Sequence, residues 1–280
     1  KFLKKSMKIN NLFSLKGKTV IITGAAGLLG KNYAQALSEA GANLALLDKD
    51  KKSLEELNQS LQGGQKSICI NCDISSEKNI VEAKNKIVSE FKGPFVLINN
   101  AAIDSKVSLD GKEENFNRLE NFPLDTWINE LNIGLTAAML FCKHVGPVMA
   151  EQGGGLILNI SSDLGIISPD QRLYRLENIE ESKQNVKPVS YSVIKHALIG
   201  LTKYVATYWA KDGVRCNAIA PGGVFSNQPD EFVTKLESLI PLGRMAKEDE
   251  YSGLIVFLCS DASSYINGET IVIDGGRSIW

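Results

Sequence analysis

The sequence predicts an α/β fold in which helices cover both faces of one doubly wound parallel sheet of about seven strands. Three observations support this prediction. Short apolar runs alternate with longer helical patterns almost to the end of the chain, the runs are almost continuously apolar, and no proline- or glycine-rich linker divides the 280 residues. Strands buried on both faces and connected by helical crossovers produce this pattern. With 44% hydrophobic residues, the chain can bury the core of a single large domain.

The elements follow one another in a regular order. Each predicted strand is a short, mostly apolar run, at 18–23, 43–48, 67–72, 95–99, 156–160, 215–220 and 270–274. The predicted helices have apolar residues every three or four positions and lie near 28–40, 51–62, 77–91, 124–150, 189–211 and 247–259. Two long polar connections, 103–123 and 163–190, both follow a strand. We therefore expect them at the carboxyl edge of the sheet, where doubly wound folds bind ligands.

The first residues differ from the rest of the chain. Residues 1–16 carry several lysines and lack the apolar core and cleavage site of a secretory signal. We interpret 1–16 as a basic, solvated tail and 17–280 as a single domain with insertions near 103–123 and 163–190. The formal net charge of -1 gives no electrostatic reason to expect nucleic acid or a membrane surface as a partner.

Hydropathy and cysteine usage indicate a cytoplasmic protein without a metal site. The uncharged run 131–142 is too short to span a bilayer. Most of the five cysteines lie within apolar segments, as expected for reduced thiols in the cytoplasm. Cys69 and Cys72 are three positions apart in a predicted strand, so they point to opposite faces, and no second ligand pair follows them.

A glycine-rich turn connects the first predicted strand to the first long helix, in TGAAGLLGKNYAQAL at 23–37. Glycines allow the backbone to approach a pyrophosphate, and the start of the helix offers free N–H groups to the anion. Asp48 ends the second predicted strand, 24 residues after Gly24. A carboxylate there accepts hydrogen bonds from the ribose hydroxyls of an adenosine and repels a 2′-phosphate. Together these features indicate NAD, with NADP the less favoured cofactor.

Tyr191 and Lys195 lie one turn apart in the helical segment 189–211, on the same face of the helix. An unperturbed tyrosine has a pKa of about 10, so it is a poor base at neutral pH. A cation about 6 Å away favours the phenolate by roughly 3 kcal/mol at an effective dielectric constant of about 20. Lys195 can therefore make Tyr191 a usable general base. A core tyrosine beside a surface lysine would show the same spacing.

Several motifs together resemble the short-chain dehydrogenase/reductase family from about Lys16 onward. They occur in the family's order: TGAAGLLG (23–30), CDI (72–74), NNAA (99–102), NISS (159–162), YSVIK (191–195), APGGVFS (220–226) and INGETIVIDGG (266–276). The resemblance implies a Rossmann-like fold and an NAD(P)-dependent oxidoreductase that interconverts a secondary alcohol and a ketone. The sequence departs from the family pattern at Leu28 and Ala102, where the family has glycine.

The resemblance also implies the roles of individual residues. Tyr191 exchanges the proton, Ser162 binds the substrate oxygen, and Asn132 holds a water that is linked to Lys195. These four residues form the implied catalytic set. The implied cofactor-binding residues are Gly24, Ala26, Leu28, Leu29, Gly30, Asp48, Asp73, Ile74, Asn100, Ala101, Tyr191, Lys195, Gly222, Val224 and Ser226.

The insertion at 163–190 makes the interval between Ser162 and Tyr191 longer than is usual in the family. The candidate substrate-binding residues within it are Arg172, Tyr174 and Arg175. Arginines bind carboxylate or phosphate groups bidentately, but a surface network with the glutamates at 177, 180 and 181 explains them equally well. The segment resembles a bacterial subgroup in the biosynthesis of flagellin and lipopolysaccharide sugars. That resemblance implies a hydroxyl of a sugar, sugar phosphate or nucleotide sugar as the substrate.

Two other functions are consistent with the sequence. An acyl or general carbonyl reductase would prefer NADPH and an apolar pocket, which Asp48 and the polar insertion disfavour. A non-catalytic dinucleotide-binding regulator would need neither Ser162 nor Asn132. In each case the long helices 124–150 and 189–211 resemble the family's paired interface helices, so we expect a homodimer or homotetramer.

Overall fold

One parallel sheet forms the centre of the molecule. The computed structural model describes residues 9–103 and 117–280. The strands are β1 Thr19–Thr23, β2 Asn43–Asp48, β3 Ser67–Asn71, β4 Phe95–Asn99, β5 Gly155–Ile160, β6 Val214–Pro221 and β7 Thr270–Ile273. They pair in the order β3-β2-β1-β4-β5-β6-β7, and every pair is parallel. The chain therefore winds outward from β1 to β3, returns, and winds outward again from β4 to β7. This confirms the predicted doubly wound α/β fold.

Helices cover both faces of the sheet. They are α1 Ile9–Leu12, α2 Leu28–Glu39, α3 Lys51–Ser60, α4 Glu77–Glu90, α5 Leu124–Leu131, α6 Ala137–Glu151, α7 Val189–Tyr208, α8 Asp230–Glu237 and α9 Ser252–Cys259. The helices predicted near 28–40, 51–62, 77–91 and 189–211 are confirmed to within about one turn.

The helix predicted at 124–150 has an interruption that the apolar pattern does not reveal. A π-helical segment, Asn132–Thr136, separates α5 from α6. Within it Gly134 packs closely on α7, since a Cβ at this position would lie 2.8 Å from Cγ2 of Ile194. A π segment accommodates one extra residue per turn and often occurs at functional sites.

Two differences from the prediction lie near the end of the chain. The helix predicted at 247–259 begins only at Ser252, because the residues before it form a turn in which Lys247 N–H donates to Glu250 Oε2 at 2.7 Å. Helix α8 was not predicted, although Pro229 and two acidic residues in the first turn are typical of a helix start. The sequence therefore contains the signal for a helix start, but the helix that follows has only 8 residues.

Alternate strand residues enter two apolar cores on opposite faces of the sheet. Val20 and Ile22 of β1 lie in one core and Ile21 in the other, each at most 1% exposed. Cys69 and Cys72 likewise pack against different cores, as the period of two in a strand requires. Burial of each large aliphatic side chain contributes about 1.5–3 kcal/mol, which holds the strand ends in place.

Within the described part of the chain, the stretch Leu124–Glu151 is long and apolar enough to cross a membrane by length and composition. Half of its most apolar window is buried inside the fold. It includes the π-helical segment and packs against β4, β5, α4 and α7. These are the contacts of a core helix.

The predicted tail at 1–16 ends inside the domain. Leu15 is fully buried, and its N–H donates to the carbonyl of Ala40 at 2.9 Å. The domain therefore begins before position 17, and the predicted boundary is wrong at this point. Residues 1–8, and most of the insertion predicted at 103–123, lie outside the described residues.

We expect Leu15→Ala to lower the free energy of unfolding by about 2–5 kcal/mol, because it leaves a cavity in the core. Urea denaturation at one fixed protein concentration measures the change. The matched control is Ile9→Ala, since Ile9 is 63% exposed and its truncation should cost less than about 0.5 kcal/mol. Equally small losses for both variants would show that the tail extends through position 15.

Candidate active site

One cavity of about 480 Å³ lies along the carboxyl edge of the sheet. A residue from the end of each strand, or from the turn after it, lines this cavity: Gly24, Asp48, Cys72, Asn100, Ser162, Gly222 and Arg277, in the order β1 to β7. Parallel strands all end at the same edge, so residues far apart in the sequence meet there. The candidate functional site is therefore continuous across the sheet.

The glycine-rich turn approaches its neighbours too closely for side chains. Gly24 has φ +64°, and a Cβ on it would lie 2.8 Å from Cα of Ala101. Gly30 lies beneath the turn, where a Cβ would be 2.3 Å from the carbonyl oxygen of Gly24. Gly27 caps α2, and Leu28 is its first residue, 42% exposed. At Leu28, where the family has glycine, this chain thus has an exposed side chain at the start of the helix. The flexible glycine that caps the helix, Gly27, lies one position earlier.

Hydrogen bonds from the neighbouring strand ends hold this turn. Asn100 Nδ2 donates to the carbonyls of Thr23 and Gly24, each at 3.0 Å. The N–H of Ala26 donates to Asp48 Oδ2 at 3.0 Å. The other oxygen of Asp48 accepts from the N–H of Asp50 at 3.0 Å. Asp48 is thus fixed at the edge of the cavity, in the position predicted for contact with a ribose.

Most of the predicted cofactor-binding residues line the cavity. They are Gly24, Leu28, Leu29, Asp48, Asp73, Ile74, Asn100, Ala101, Tyr191, Lys195, Gly222, Val224 and Ser226. Ala26 and Gly30 are not among the lining residues: the first is bonded to Asp48 and the second is buried under the turn. Both support the turn from behind, and their predicted direct contact with the cofactor stays a prediction.

Asp73 lies on the same side of the cavity as Asp48. Its carboxylate accepts hydrogen bonds from the hydroxyl and the N–H of Ser75, at 2.7 and 3.0 Å. These bonds lower the pKa of Asp73, so the carboxylate is ionised at neutral pH. One end of the cavity therefore carries two carboxylates.

Cations dominate at the other end. Lys195 is 4% exposed, and its Nζ donates to the carbonyl of Ile160 at 2.8 Å and lies 5.6 Å from the ring centroid of Tyr191. The Nζ of Lys187 lies 4.1 Å from the same ring centroid. Sequence reasoning missed Lys187, although its position four residues before Tyr191 mirrors that of Lys195 and could have indicated it. Tyr191 thus has two cations beside its ring, one from the segment before the helix and one from the next turn of the helix.

Ser162 is held by two hydrogen bonds at the end of β5. Its Oγ donates to Asp163 Oδ1 at 2.8 Å and accepts from the N–H of Leu164 at 3.2 Å. The second carboxylate oxygen of Asp163 accepts from Nη1 of Arg277 at 2.6 Å. The side chains of this ion pair are 4% and 7% exposed. Arg277, which the sequence reasoning missed, directly follows the C-terminal IDGG motif and lines the cavity.

Only one of the three predicted substrate-binding residues lies at the cavity. Tyr174 lines it and packs against Phe232, with ring centroids 5.6 Å apart. Arg172 pairs with Asp170 and Arg175 with Glu181, and their side chains are 78% and 51% exposed. Neither arginine lines the cavity. Acidic residues of the same segment bind both arginines at the surface, and the substrate-binding role predicted for them stays a prediction.

Asn132 begins the π-helical segment, is exposed, and is not among the lining residues. Its neighbour Ile133 does line the cavity. The catalytic role implied for Asn132 stays a prediction.

The described residues, 9–103 and 117–280, do not form a metal site. Their His, Cys, Asp and Glu side chains form no group of three or more that could hold a metal ion. Burial raises the pKa of Cys72, which lines the cavity, to about 11. This cysteine is therefore a neutral thiol at physiological pH and a poor metal ligand.

Known proteins resemble this chain over almost its whole length. A family model described as enoyl-(acyl carrier protein) reductase matches residues 24–278. D-threitol dehydrogenase from Mycolicibacterium smegmatis is 31% identical over 275 residues, which cover 95% of each chain. The 2-dehydro-3-deoxy-D-gluconate 5-dehydrogenase of Bacillus subtilis is 31% identical over 279 residues, covering 96% of this chain and 97% of that one.

A solved structure gives the same result. A short-chain type dehydrogenase/reductase from Mycobacterium marinum matches with a TM-score of 0.79 and 30% identity, over 97% of this chain and 99% of that one. The glycine-rich turn, Ser162, Tyr191 and Lys195 all fall within the residues matched by the family model. The chain belongs to the short-chain dehydrogenase/reductase family, and it is an oxidoreductase that acts on CH–OH groups.

Proposed function

We propose that this protein is an NAD-dependent dehydrogenase that interconverts a secondary alcohol and a ketone on a sugar, sugar alcohol or sugar acid. One observation carries the proposal. Tyr191 has two lysines beside its ring and opens on the same continuous cavity as the glycine-rich turn and Asp48. Hydride transfer needs a proton-exchanging group and a dinucleotide cradle in one cleft.

Tyr191 exchanges the proton of the substrate hydroxyl in this mechanism. Lys187 and Lys195 favour the phenolate by Coulombic attraction, so Tyr191 accepts the proton in oxidation and returns it in reduction. Bound NAD supplies the hydride acceptor. The chain's own contribution is alignment of the hydroxyl and control of its proton.

Ser162 positions the substrate oxygen. Its hydroxyl hydrogen points to Asp163 in this structure, while Leu164 N–H occupies one of its lone pairs. A serine hydroxyl rotates easily, so turning the hydrogen from Asp163 toward the substrate gives a donor for the negative charge that develops on that oxygen. The N–H of Leu164 stays bonded to Oγ and holds the oxygen atom of Ser162 in place for this exchange.

The residues around the turn fit a dinucleotide. Gly24 leaves no room for a side chain above Ala101, and the N-terminus of the twelve-residue α2 faces the cavity. These groups would hold the pyrophosphate. Asp48 would accept hydrogen bonds from the ribose hydroxyls and repel a 2′-phosphate, which supports NAD over NADP.

The names of the relatives support a polyhydroxy substrate. One relative is a D-threitol dehydrogenase and another a 2-dehydro-3-deoxy-D-gluconate 5-dehydrogenase. Both names describe chains of adjacent carbons that carry hydroxyl groups, one neutral and one acidic. The narrower prediction of a surface-sugar enzyme stays a prediction, since neither name mentions such a pathway.

An acyl or general carbonyl reductase is the second candidate, and one observation favours it. Tyr174, Leu236 and Met245 form a buried apolar cluster together with Phe232, and all four line the cavity. Such a wall suits an aliphatic chain. Turnover of fatty acyl ketones but not of sugars or polyols would establish this function instead.

The proposed function is tested by a screen of polyols, sugars, sugar acids and sugar phosphates, with formation of reduced nicotinamide followed by absorbance. Each substrate is offered with NAD and with NADP. We expect turnover of at least one polyhydroxy compound with NAD. Turnover of lipid-like ketones alone would refute the sugar assignment.

We expect Tyr191→Phe to lower kcat by about 10²–10⁴-fold, because general acid–base catalysis contributes that much. Binding of NADH, measured by fluorescence titration, should persist. Tyr265→Phe is the matched control, since Tyr265 is fully exposed and does not line the cavity. Full turnover by Tyr191→Phe would favour a different proton-transfer residue.

We expect Asp48→Asn to raise the ratio of kcat/KM with NADP to that with NAD by about 10–100-fold. A hydrogen bond to a charged group is worth about 1.5–3 kcal/mol, and 1.4 kcal/mol is tenfold. The asparagine oxygen can still accept from the N–H of Ala26, which keeps the contact with the turn, whereas the N–H of Asp50 loses its side-chain acceptor. Steady-state kinetics with both cofactors measure the ratio, and Lys52→Ala is the control, since Lys52 is 88% exposed and does not line the cavity. An unchanged ratio would show that Asp48 does not select the cofactor.

The proposed location is the cytoplasm. All five cysteines lie within the described residues, and all five are free thiols. Four of them are buried. Unpaired thiols are typical of proteins in a reducing compartment.

We also propose that the protein forms a homodimer or homotetramer through α6 and α7. Met139, Val193, Tyr204 and Tyr208 of these helices are large, apolar or aromatic, and 39–65% exposed. Sedimentation velocity should show a dimer or tetramer, and Tyr204→Glu combined with Tyr208→Glu should shift it toward monomer. Val88→Glu on α4, at 40% exposure, is the control. A monomeric wild-type protein would refute the proposal.

A further inference from the structure

Arg277 has hydrogen-bonding capacity that the described residues do not use. Its Nη1 donates to Asp163 Oδ2 at 2.6 Å. Its Nε is buried and has no hydrogen-bond partner, and Nη2 makes no hydrogen bond to any residue in the described part of the chain. The whole side chain is only 7% exposed. A cation nine-tenths buried at the cavity therefore lacks partners along one edge.

That edge has a specific geometry. A guanidinium carries five N–H donors in a rigid plane, and Nε and one Nη form a parallel pair that matches the two oxygens of a carboxylate or phosphate. Asp163 occupies the opposite corner of the plane. Buried donors of native proteins nearly always have a partner, so the Nε–Nη2 edge points to a ligand.

Arg277 lies where a substrate has to bind. Arg277 lines the same cavity as Ser162 and Tyr191. Ser162 is connected to Arg277 through a single residue, because Asp163 accepts from both of them. A substrate that presents its hydroxyl to Tyr191 and Ser162 therefore extends toward Arg277.

The backbone holds Arg277 rigidly. The side chain of Asp274 accepts from the N–H groups of Gly276 and Ser278, at 2.9 and 2.8 Å. Gly276 has φ +91°, and a Cβ there would lie 2.9 Å from Cγ of Pro241. The turn that carries Arg277 is thus closely packed, and a pre-formed site loses little entropy when a ligand binds.

We propose that the substrate carries an anionic group, a carboxylate or a phosphate, which binds the Nε–Nη2 edge of Arg277 while Tyr191 and Ser162 hold the reacting hydroxyl. The inference rests on the proposed function, and it narrows the substrate class from polyhydroxy compounds in general to polyhydroxy acids or sugar phosphates. Arg277 is then the residue that determines specificity, and the exposed Arg172 and Arg175 are not.

Binding to the enzyme–NAD complex, measured by isothermal titration calorimetry, tests the proposal without requiring turnover. The probes are threitol, tartrate and glycerol 3-phosphate. Tartrate is threitol with both terminal carbons oxidised to carboxylates, so the two share the central diol. We expect the wild-type protein to bind tartrate or glycerol 3-phosphate about 10–100-fold more tightly than threitol, as expected for a charge-assisted bidentate contact. Preference for tartrate identifies a carboxylate, and preference for glycerol 3-phosphate a phosphate.

Two variants distinguish a loss of anion recognition from a loss of folding. Arg277→Lys keeps a positive charge for Asp163 but has no parallel donor pair. Arg277→Gln combined with Asp163→Asn replaces the ion pair by a neutral hydrogen bond, so no unpaired charge is left buried. In both, the ratio of anion affinity to threitol affinity should fall by about tenfold or more. Arg175→Gln, an exposed arginine outside the cavity, is the control and should keep the wild-type ratio.

If the role of Arg277 were merely structural, its variants would bind all three probes more weakly by the same factor. The ratio of anion affinity to threitol affinity would then not change, and this result would overturn the proposal. Failure of the wild-type protein to bind either anion more tightly than threitol would also overturn it. The proposed function fails by a different result, the absence of any polyhydroxy substrate in the turnover screen. NAD-dependent turnover of a neutral polyol with no anion preference would refute the inference and leave the proposed function intact.

Discussion

A buried ammonium group beside Tyr191 sets the chemistry of this site. Lys195 is 4% exposed, and burial of an uncompensated charge costs several kcal/mol. The sheet compensates it: β5 ends so that the carbonyl of Ile160 accepts from Nζ, and Ser161 Oγ donates to the backbone carbonyl of Lys195 at 2.7 Å. Strand end and helix α7 are thereby fixed to each other at two points. Because the same helix carries Tyr191, the side chain that we propose as the proton-exchanging group takes its position from the core of the fold.

Charge is separated along the cavity. Asp48 and Asp73 lie toward one end together with Lys49, and Lys187, Lys195 and the ion pair of Arg277 with Asp163 lie toward the other. A dinucleotide whose adenosine ribose contacts the carboxylates has its nicotinamide directed toward the cations, so the electrostatic field and the glycine-rich turn favour the same orientation. The cations that favour the phenolate also attract an anionic substrate. Catalysis and recognition therefore depend on the same local potential.

The sheet and the cofactor cradle could be predicted because local patterns determine them. Continuous apolar runs specify buried strands, and Asp48 at the end of β2 is positioned by the sheet alone. The positions of Arg172 and Arg175 could not be predicted from local patterns. A positive charge in a polar insertion pairs with the nearest carboxylate, and here the nearest carboxylates are Asp170 and Glu181. Arg277 could not be found in this way, because it reaches the site only through the pairing of β7 with β6 and the turn that follows it.

The buried ion pair of Asp163 with Arg277 joins two segments that are 114 residues apart in the sequence. Asp163 touches Ser162, which we propose orients the reacting oxygen, and Arg277 lines the cavity in which we propose that the remainder of the substrate lies. Removing either partner leaves a buried charge, so the two positions constrain each other. A change of substrate class at Arg277 consequently requires a compensating change at Asp163, next to the chemistry. In the proposed mechanism, specificity and catalysis are coupled through one carboxylate, which would explain why an acidic residue directly follows the proposed active-site serine.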